Sequence, residues 1–355
     1  MNVKKIDERD TMFARMSYKK GSKEYEDYYK RNPDKKHIDD EIRELPNICG
    51  EGTATYHPLN SPFADAGFKF LSDIKKYVEG EVNKNRVEVT AQEMTNKIKK
   101  LLKYIGAKLT GVAKMQDYHY YSHRGRNPET YGDKIEKFHK YGIVFAVEMD
   151  KDMINRAPQC EEVIAVTKGY IDGAIIGMWI SYYIRELGYD ARNHMDGNYL
   201  VVAPLVARDA GLGEIGRNGL LITKEYGQRV RLGVVTTDMP LISDKEQDFG
   251  IKEFCKICNK CSKTCPGKAI PDGDMKLING ELRWQIEQEK CYGMWRRIGT
   301  DCGVCLSTCP FSQGVSLEMI DKMKDSKECM EKILKEYEEK YGIRPYIRET
   351  LDLLK

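Results

Sequence analysis

The chain has 355 residues, enough for two ordinary domains, and 41% of them are hydrophobic, so a core of normal size is available and wholesale disorder is excluded. With 58 Lys and Arg against 55 Asp and Glu, the net charge of +3 gives no footprint for non-specific nucleic-acid binding. The chain opens MNVKKIDERD, without a charged-then-apolar signal segment or a twin-arginine pair, and in that setting its 11 cysteines read as metal ligands before disulfides.

The first 70 residues are rich in tyrosine and charge with little periodicity, and read as a wrapping arm. Residues 90–105 form a helix with Met94, Ile98, Leu101, Leu102 and Ile105 on one face and Gly106 as its C-cap. Residues 108–113 and 142–148 read as strands. A second helix spans 170–187, stops at Gly188, and leads into a short strand entering 193–197; its nearly apolar run, 173–184, is too short to cross a bilayer. Pro204 and Gly211 bracket a short helix. Residues 220–223 and 229–237 read as a hairpin around Tyr226–Gly227. Helices and strands mixed in this way give an α+β domain. The polar stretch 243–250 marks its end. The last 40 residues are helical, with Met319, Met323, Met330, Ile333 and Leu334 as an apolar packing stripe. The expected partition is an N-terminal extension over 1–80, a catalytic domain over 81–245, a cysteine-rich domain over 246–315 and a helical tail over 316–355.

Eight of the cysteines fall between Cys255 and Cys309. Cys255, Cys258, Cys261 and Cys265, followed by Pro266, follow C-x2-C-x2-C-x3-C-P, the bacterial ferredoxin run, in which the fourth thiolate serves a neighbouring cluster. A second set, Cys291, Cys302, Cys305 and Cys309 before Pro310, keeps C-x2-C-x3-C-P with its first cysteine displaced upstream. Crosswise ligation assigns Cys255, Cys258, Cys261 and Cys309 to one [4Fe–4S] cluster, and Cys265, Cys291, Cys302 and Cys305 to the other. Structural zinc sites use paired C-x2-C knuckles and fit this pattern poorly. Cys49, Cys160 and Cys329 read as ordinary thiols. Two clusters in series mean electron transfer, with an acceptor at the far end.

Gly211, Gly213 and Gly216 match the G-x-G-x-x-G dinucleotide fingerprint, but the context is wrong: a helix precedes the segment and a strand follows it. Glycines here suit close approach of the backbone to a large flat ligand.

The chain resembles the reductive dehalogenase family, distantly similar to the epoxyqueuosine reductases. The match starts at residues 7–15, passes through Tyr28–Tyr29, Asp39–Asp40 and Pro46, and continues through Tyr170 and 183–189. It is densest over 210–217, 221–223, 226–232 and 237–241, after which the two cysteine sets follow at the family's spacing. The resemblance implies a nitroreductase-like α+β domain that binds a corrinoid (cobalamin, base-off, without a histidine ligand) and a ferredoxin-like domain with two [4Fe–4S] clusters. N- and C-terminal extensions wrap the two. The corrinoid motif D-x-H-x-x-G is not met, since Arg124 and Gly125 lie too far beyond Asp117 and His119.

The implied activity replaces a carbon-bound halogen by hydrogen, with two electrons and one proton. By resemblance Tyr170 is the proton donor, and its ordinary pKa near 10 keeps it protonated at neutral pH. Arg229 and Arg231 alternate with Val230 on one strand face, and the resemblance places a basic active-site residue there, with Arg231 slightly favoured. Asn193, His194, Met195, Asp196, Gly197 and Asn198, with Gly211, Leu212, Gly213, Gly216 and Arg217, are the expected corrinoid contacts. The implied partners are a small organohalide and a low-potential donor such as ferredoxin or flavodoxin, with no nucleic acid and no transmembrane segment; a membrane-anchor partner and a homo-oligomer stay open. The expected location is cytoplasmic unless an export signal was removed before this numbering. Two alternatives stand beside this reading. An epoxyqueuosine reductase would want an Asp near Tyr170 followed by Tyr-His, where this chain has Lys168-Gly-Tyr170-Ile-Asp172. A pure iron–sulfur electron carrier would hold no corrinoid.

Overall fold

The run 141–148 is apolar almost throughout, and much of 109–114 and 230–237 is buried, because the sheet they build is covered on both faces. The computed structural model describes residues 3–355. The strands before the cysteine-rich region are β1 (Leu109–Lys114), β2 (Tyr141–Glu148), β3 (Ala191–His194), β4 (Glu214–Ile215), β5 (Leu221–Ile222) and β6 (Val230–Thr237). The central sheet has the order β1-β2-β6-β3 with antiparallel neighbours. On one face Ile143, Phe145, Val147 and Val235 pack with the helices Ala91–Tyr104 and Cys160–Glu186. On the other, Val144, Ala146 and Val234 meet the helix Ala203–Asp209. Gly233 stands opposite Phe145, and a Cβ there would lie 2.2 Å from the ring.

Several expectations need correction. The long helix begins at Cys160, so Tyr170 lies within it rather than at its start. Residues 160–167 are buried on every side, which removes the one-sided periodicity that marks a helix. By length and composition this helix could cross a membrane, yet 61% of its most apolar window is buried inside the fold, as suits a core helix. The expected hairpin does not form. β5 pairs with β4, β6 pairs with β2 and β3, and only a Thr223–Gly227 bridge remains at the turn.

The N-terminal arm is largely helical, with helices Lys23–Arg31, Pro33–Glu44 and Ser61–Ile74. Fully buried Arg15 pairs with buried Asp39 at 2.6 Å and reaches Glu289 at 2.7 Å, pinning the arm to the cysteine-rich region. There, Phe254, Trp284 and Phe311 share one core with Met323, Met330 and Ile333 of the C-terminal helices.

Candidate functional site

The eight clustered cysteines are all free thiols, and they line two separate holes. Cys255, Cys258, Cys261 and Cys309 line the first, with Arg217, Phe254, Lys260 and Phe311 around them. The other four, Cys265, Cys291, Cys302 and Cys305, stand together on the wall of a cavity of about 400 Å³. These are the two groups that crosswise ligation requires. Short helices aim the thiols: Ile251–Cys258, Lys260–Thr264 and Val304–Thr308, the last two entered through left-handed Asn259 and Gly303. Among the described residues no three ligand side chains converge closely enough to hold a single metal ion; a [4Fe–4S] cube takes one thiolate at each of four separate irons. Burial pushes Cys255 and Cys291 up to about 12 and Cys305 to about 11, Cys305 being eased by a hydrogen bond with Asn218. Loading a cluster therefore releases protons.

The cavity lies between the sheet domain, the cysteine-rich region and the N-terminal arm. Its space reaches about 1750 Å³ once the open mouth is counted, and its wall is mainly apolar. Val201, Leu220, Leu221, Val230 and Leu232 come from the sheet domain, Ile270, Ile286, Met294 and Trp295 from the cysteine-rich region, and Thr11 and Phe13 from the arm. No histidine is among the described lining residues.

Tyr170 and Arg231 both line this space, and the Arg231 guanidinium sits 4.1 Å from the centre of the Tyr170 ring. The exposed part of Tyr170 is cavity wall, so the side chain is enclosed although it is not fully covered. Burial raises its hydroxyl pKa above the ordinary value, against the opposing charge of Arg231. Two further groups line the same wall: Tyr199, raised well above its usual range by burial, and Arg126, whose Nη1 donates to Asp196 Oδ1 at 3.3 Å. Behind the wall, Glu162 is buried with both oxygens unpartnered, and a Cβ on Gly303 would lie 2.3 Å from its Oε1. Burial, reinforced by Asp301, raises its carboxyl well above normal.

Arg229 does not reach the cavity. It is buried and donates to the Ser312 carbonyl at 2.7 Å, the Met149 carbonyl at 2.8 Å and Glu148 at 2.9 Å. Of the segment 193–198 only Asp196 is on the cavity wall. His194 bonds Thr236 and the Leu200 amide, Asn193 packs against Gly177, Met195 joins a core with Leu71, Gly197 faces Lys75, and Asn198 holds Arg192.

The glycine segment lies elsewhere. Gly211 and Leu212 border a different cleft beside Lys103, Lys108 and Lys245, while Gly213 and Gly216 press on Ile222. Their close neighbours are protein, so the absence of side chains there serves chain packing. Arg217 donates to the carbonyls of Cys255, Pro271 and Gly273, bracing the first cysteine hole. Asp172 pairs with Lys168 at 2.5 Å and does not line the cavity. Arg126 and Tyr199 went unseen in the sequence, since neither stands in a motif or a periodic element.

A family model described as a 4Fe-4S dicluster domain matches residues 254–313. The tetrachloroethene reductive dehalogenase of Sulfurospirillum multivorans is 34% identical over 256 residues, covering 62% of this chain and 51% of that protein. The tetrachloroethene reductive dehalogenase of Dehalobacter restrictus is 31% identical over 269 residues, covering 62% of this chain and 48% of that protein. The epoxyqueuosine reductase of Lactococcus garvieae is more distant, 33% identical over 129 residues, covering 34% of this chain and 35% of that protein. The chain thus spans about half the length, or less, of these curated relatives. Among solved structures, a catabolic reductive dehalogenase superimposes with a TM-score of 0.76 at 21% identity, covering 97% of this chain and 47% of that one, which shows the fold. The α+β architecture with a [4Fe–4S] dicluster domain is therefore that of the reductive dehalogenases.

Proposed function

We propose that this relative of the reductive dehalogenases is a corrinoid- and iron–sulfur-dependent reductase that replaces a carbon-bound halogen by hydrogen and releases halide. One observation carries the reading: four cysteines of the dicluster domain open onto the same mainly apolar cavity as Tyr170 and Arg231. An electron carrier has no use for that cavity. An epoxyqueuosine reductase would want an acid where this chain has an outward Lys168–Asp172 pair.

The wall suits the implied group. It is apolar, roomy, next to a cluster hole, and offers no histidine to a cobalt, in keeping with base-off binding. A corrinoid bound there supplies reduced cobalt able to cleave a carbon–halogen bond, and the two clusters supply electrons one at a time.

The remaining work falls to this chain's residues. Tyr170 holds a proton on its hydroxyl at neutral pH and gives it to the carbon that loses the halogen. Arg231, stacked on the ring, favours the tyrosinate left behind and the departing halide, and so limits the rise that burial imposes on Tyr170. Arg126 is held by Asp196, so its charge is already balanced. The apolar wall keeps out water that would weaken these interactions. The reaction consumes two electrons and one proton per halide, and a low-potential one-electron donor completes the scheme.

The test is anaerobic purification with added cobalamin, followed by metal analysis, a visible spectrum and halide assay. The expected result is about eight irons and about one cobalt per chain, with halide released from small haloalkenes under a low-potential reductant. Protein with full iron that neither retains cobalt nor releases halide would overturn the reading.

A further inference from the structure

The long helix Cys160–Glu186 leaves one line of its surface uncovered. Its exposed residues are Lys168, Ile175, Trp179, Tyr182 and Glu186, and half-exposed Asp172 stands between the first two. Steps of four and three residues alternate along this line, so all six share one face, about 27 Å long at 1.5 Å per residue. Its ends are charged and its middle is not. Trp179 is 61% exposed, Ile175 48% and Tyr182 47%. A single exposed apolar side chain is ordinary, but three in a row on one helix face mark a contact surface.

The row is complementary to itself. Read as a heptad, Asp172, Trp179 and Glu186 hold a positions, and Lys168, Ile175 and Tyr182 hold d positions. The row is symmetric about position 177, so an antiparallel copy sets each a position opposite a d position. Ile175 then meets the partner's Trp179, Asp172 can accept from the hydroxyl of the partner's Tyr182, and Lys168 faces the partner's Glu186. Glu186 makes no ion pair among the described residues, and Lys168 pairs only with Asp172 of its own helix. A parallel pairing would instead set Lys168 on Lys168 and Glu186 on Glu186, which like charges oppose.

We infer that this face is a self-association surface, on which two copies of the chain pair their long helices antiparallel about a two-fold axis at position 177. Such a contact is isologous and closes at two copies. One helix face per copy is a small interface, so the dimer is weak and forms in the micromolar range. The surface is independent of the reading of the cavity.

The experiment is anaerobic sedimentation equilibrium of iron-replete protein from about 1 to about 100 µM. The wild type should pass from monomer to dimer within that range. Trp179→Ala should raise the dissociation constant about tenfold or more. Lys168→Glu and Glu186→Lys should each raise it about tenfold, because each turns two attractive contacts per dimer into repulsive ones. The double variant Lys168→Glu, Glu186→Lys should return to within about threefold of the wild type, a rescue that only the antiparallel register produces. Wild type that stays monomeric at the top concentration overturns the proposal. So does a dimer indifferent to Trp179→Ala, or a charge swap without rescue. Flotation with vesicles of phosphatidylethanolamine and phosphatidylglycerol runs in parallel; a monomer that floats in a Trp179-dependent way would give the face to a lipid surface and overturn the pairing. The wild-type series and the charge swap decide the matter even if Trp179→Ala fails to fold.

Discussion

Replacing Tyr170 by Phe removes one oxygen and leaves the ring, so the stacking of Arg231 at 4.1 Å survives. The Tyr170 hydroxyl has no hydrogen-bond partner among the described residues, so no buried group is orphaned by its loss. Stability should change by less than about 1 kcal/mol, a Tm shift of no more than a few degrees in a chain of this size. A positioned general acid contributes about 10²- to 10⁴-fold, equivalent to about 2.7–5.4 kcal/mol in the barrier. Halide release per chain should therefore fall by that factor while iron, cobalt and the visible spectrum of the purified protein stay unchanged. The assay is anaerobic halide release with excess low-potential reductant, so electron supply is not limiting. Turnover within about threefold of wild type, at equal cofactor content, would refute the assignment of the proton to Tyr170.

Arg229→Ala should act through stability: it strips partners from the Ser312 and Met149 carbonyls, costs about 2–4 kcal/mol, and lowers Tm by several degrees, whatever halide release the folded fraction retains. Cys309→Ala should remove roughly half the iron by emptying the group it shares with Cys255, Cys258 and Cys261 while leaving the cavity-side group loaded, as read by metal analysis and by paramagnetic resonance of the reduced protein; loss of the cavity-side signal instead would contradict crosswise ligation. Acid should destabilise the fold through two carboxylates. Burial raises Asp209, but His119, Tyr118 and Arg208 outweigh it and hold it at about 2; Glu289, likewise raised by burial, is held at about 2 by Lys35 and Arg15. Both folded values lie below the ordinary value near 4, so their stabilisation is present above that pH and is lost as pH falls through about 2. The Asp209→Asn, Glu289→Gln variant should show a flatter dependence of Tm on pH below about 5.

What the sequence made legible is what depends on local spacing. The crosswise cysteine groups follow from one C-x2-C-x2-C-x3-C-P run and a second set with its first cysteine displaced, and the two holes hold those same groups. The strand at 141–148 was readable because a doubly covered strand is a nearly continuous apolar run. The helical turns at 160–167 were not, since burial on all sides erases the period and Glu162 looks like a surface residue. Gly211, Gly213 and Gly216 were expected to lie against a large flat ligand, and their close neighbours here are protein atoms, because a glycine does not record what approaches it. Choosing between Arg229 and Arg231 needed the third dimension: the first spends its donors on backbone carbonyls, and the second lies over an aromatic face. Arg126 stands in an irregular loop, where no periodicity could flag it.

The buried Arg15 contacts tie together parts of the chain 274 residues apart, and Phe13 of the same arm rests against Tyr292 and Trp295. The arm precedes the sheet domain in the chain, yet its seat exists only after the second cysteine set has begun to emerge. Until then the cavity has an open side. Such long-range closure is slow compared with local folding, so there is an interval in which a bulky group could reach the cavity wall without passing the finished mouth. In this arrangement the arm, which precedes the other walls of the cavity in the chain, is among the last parts to settle.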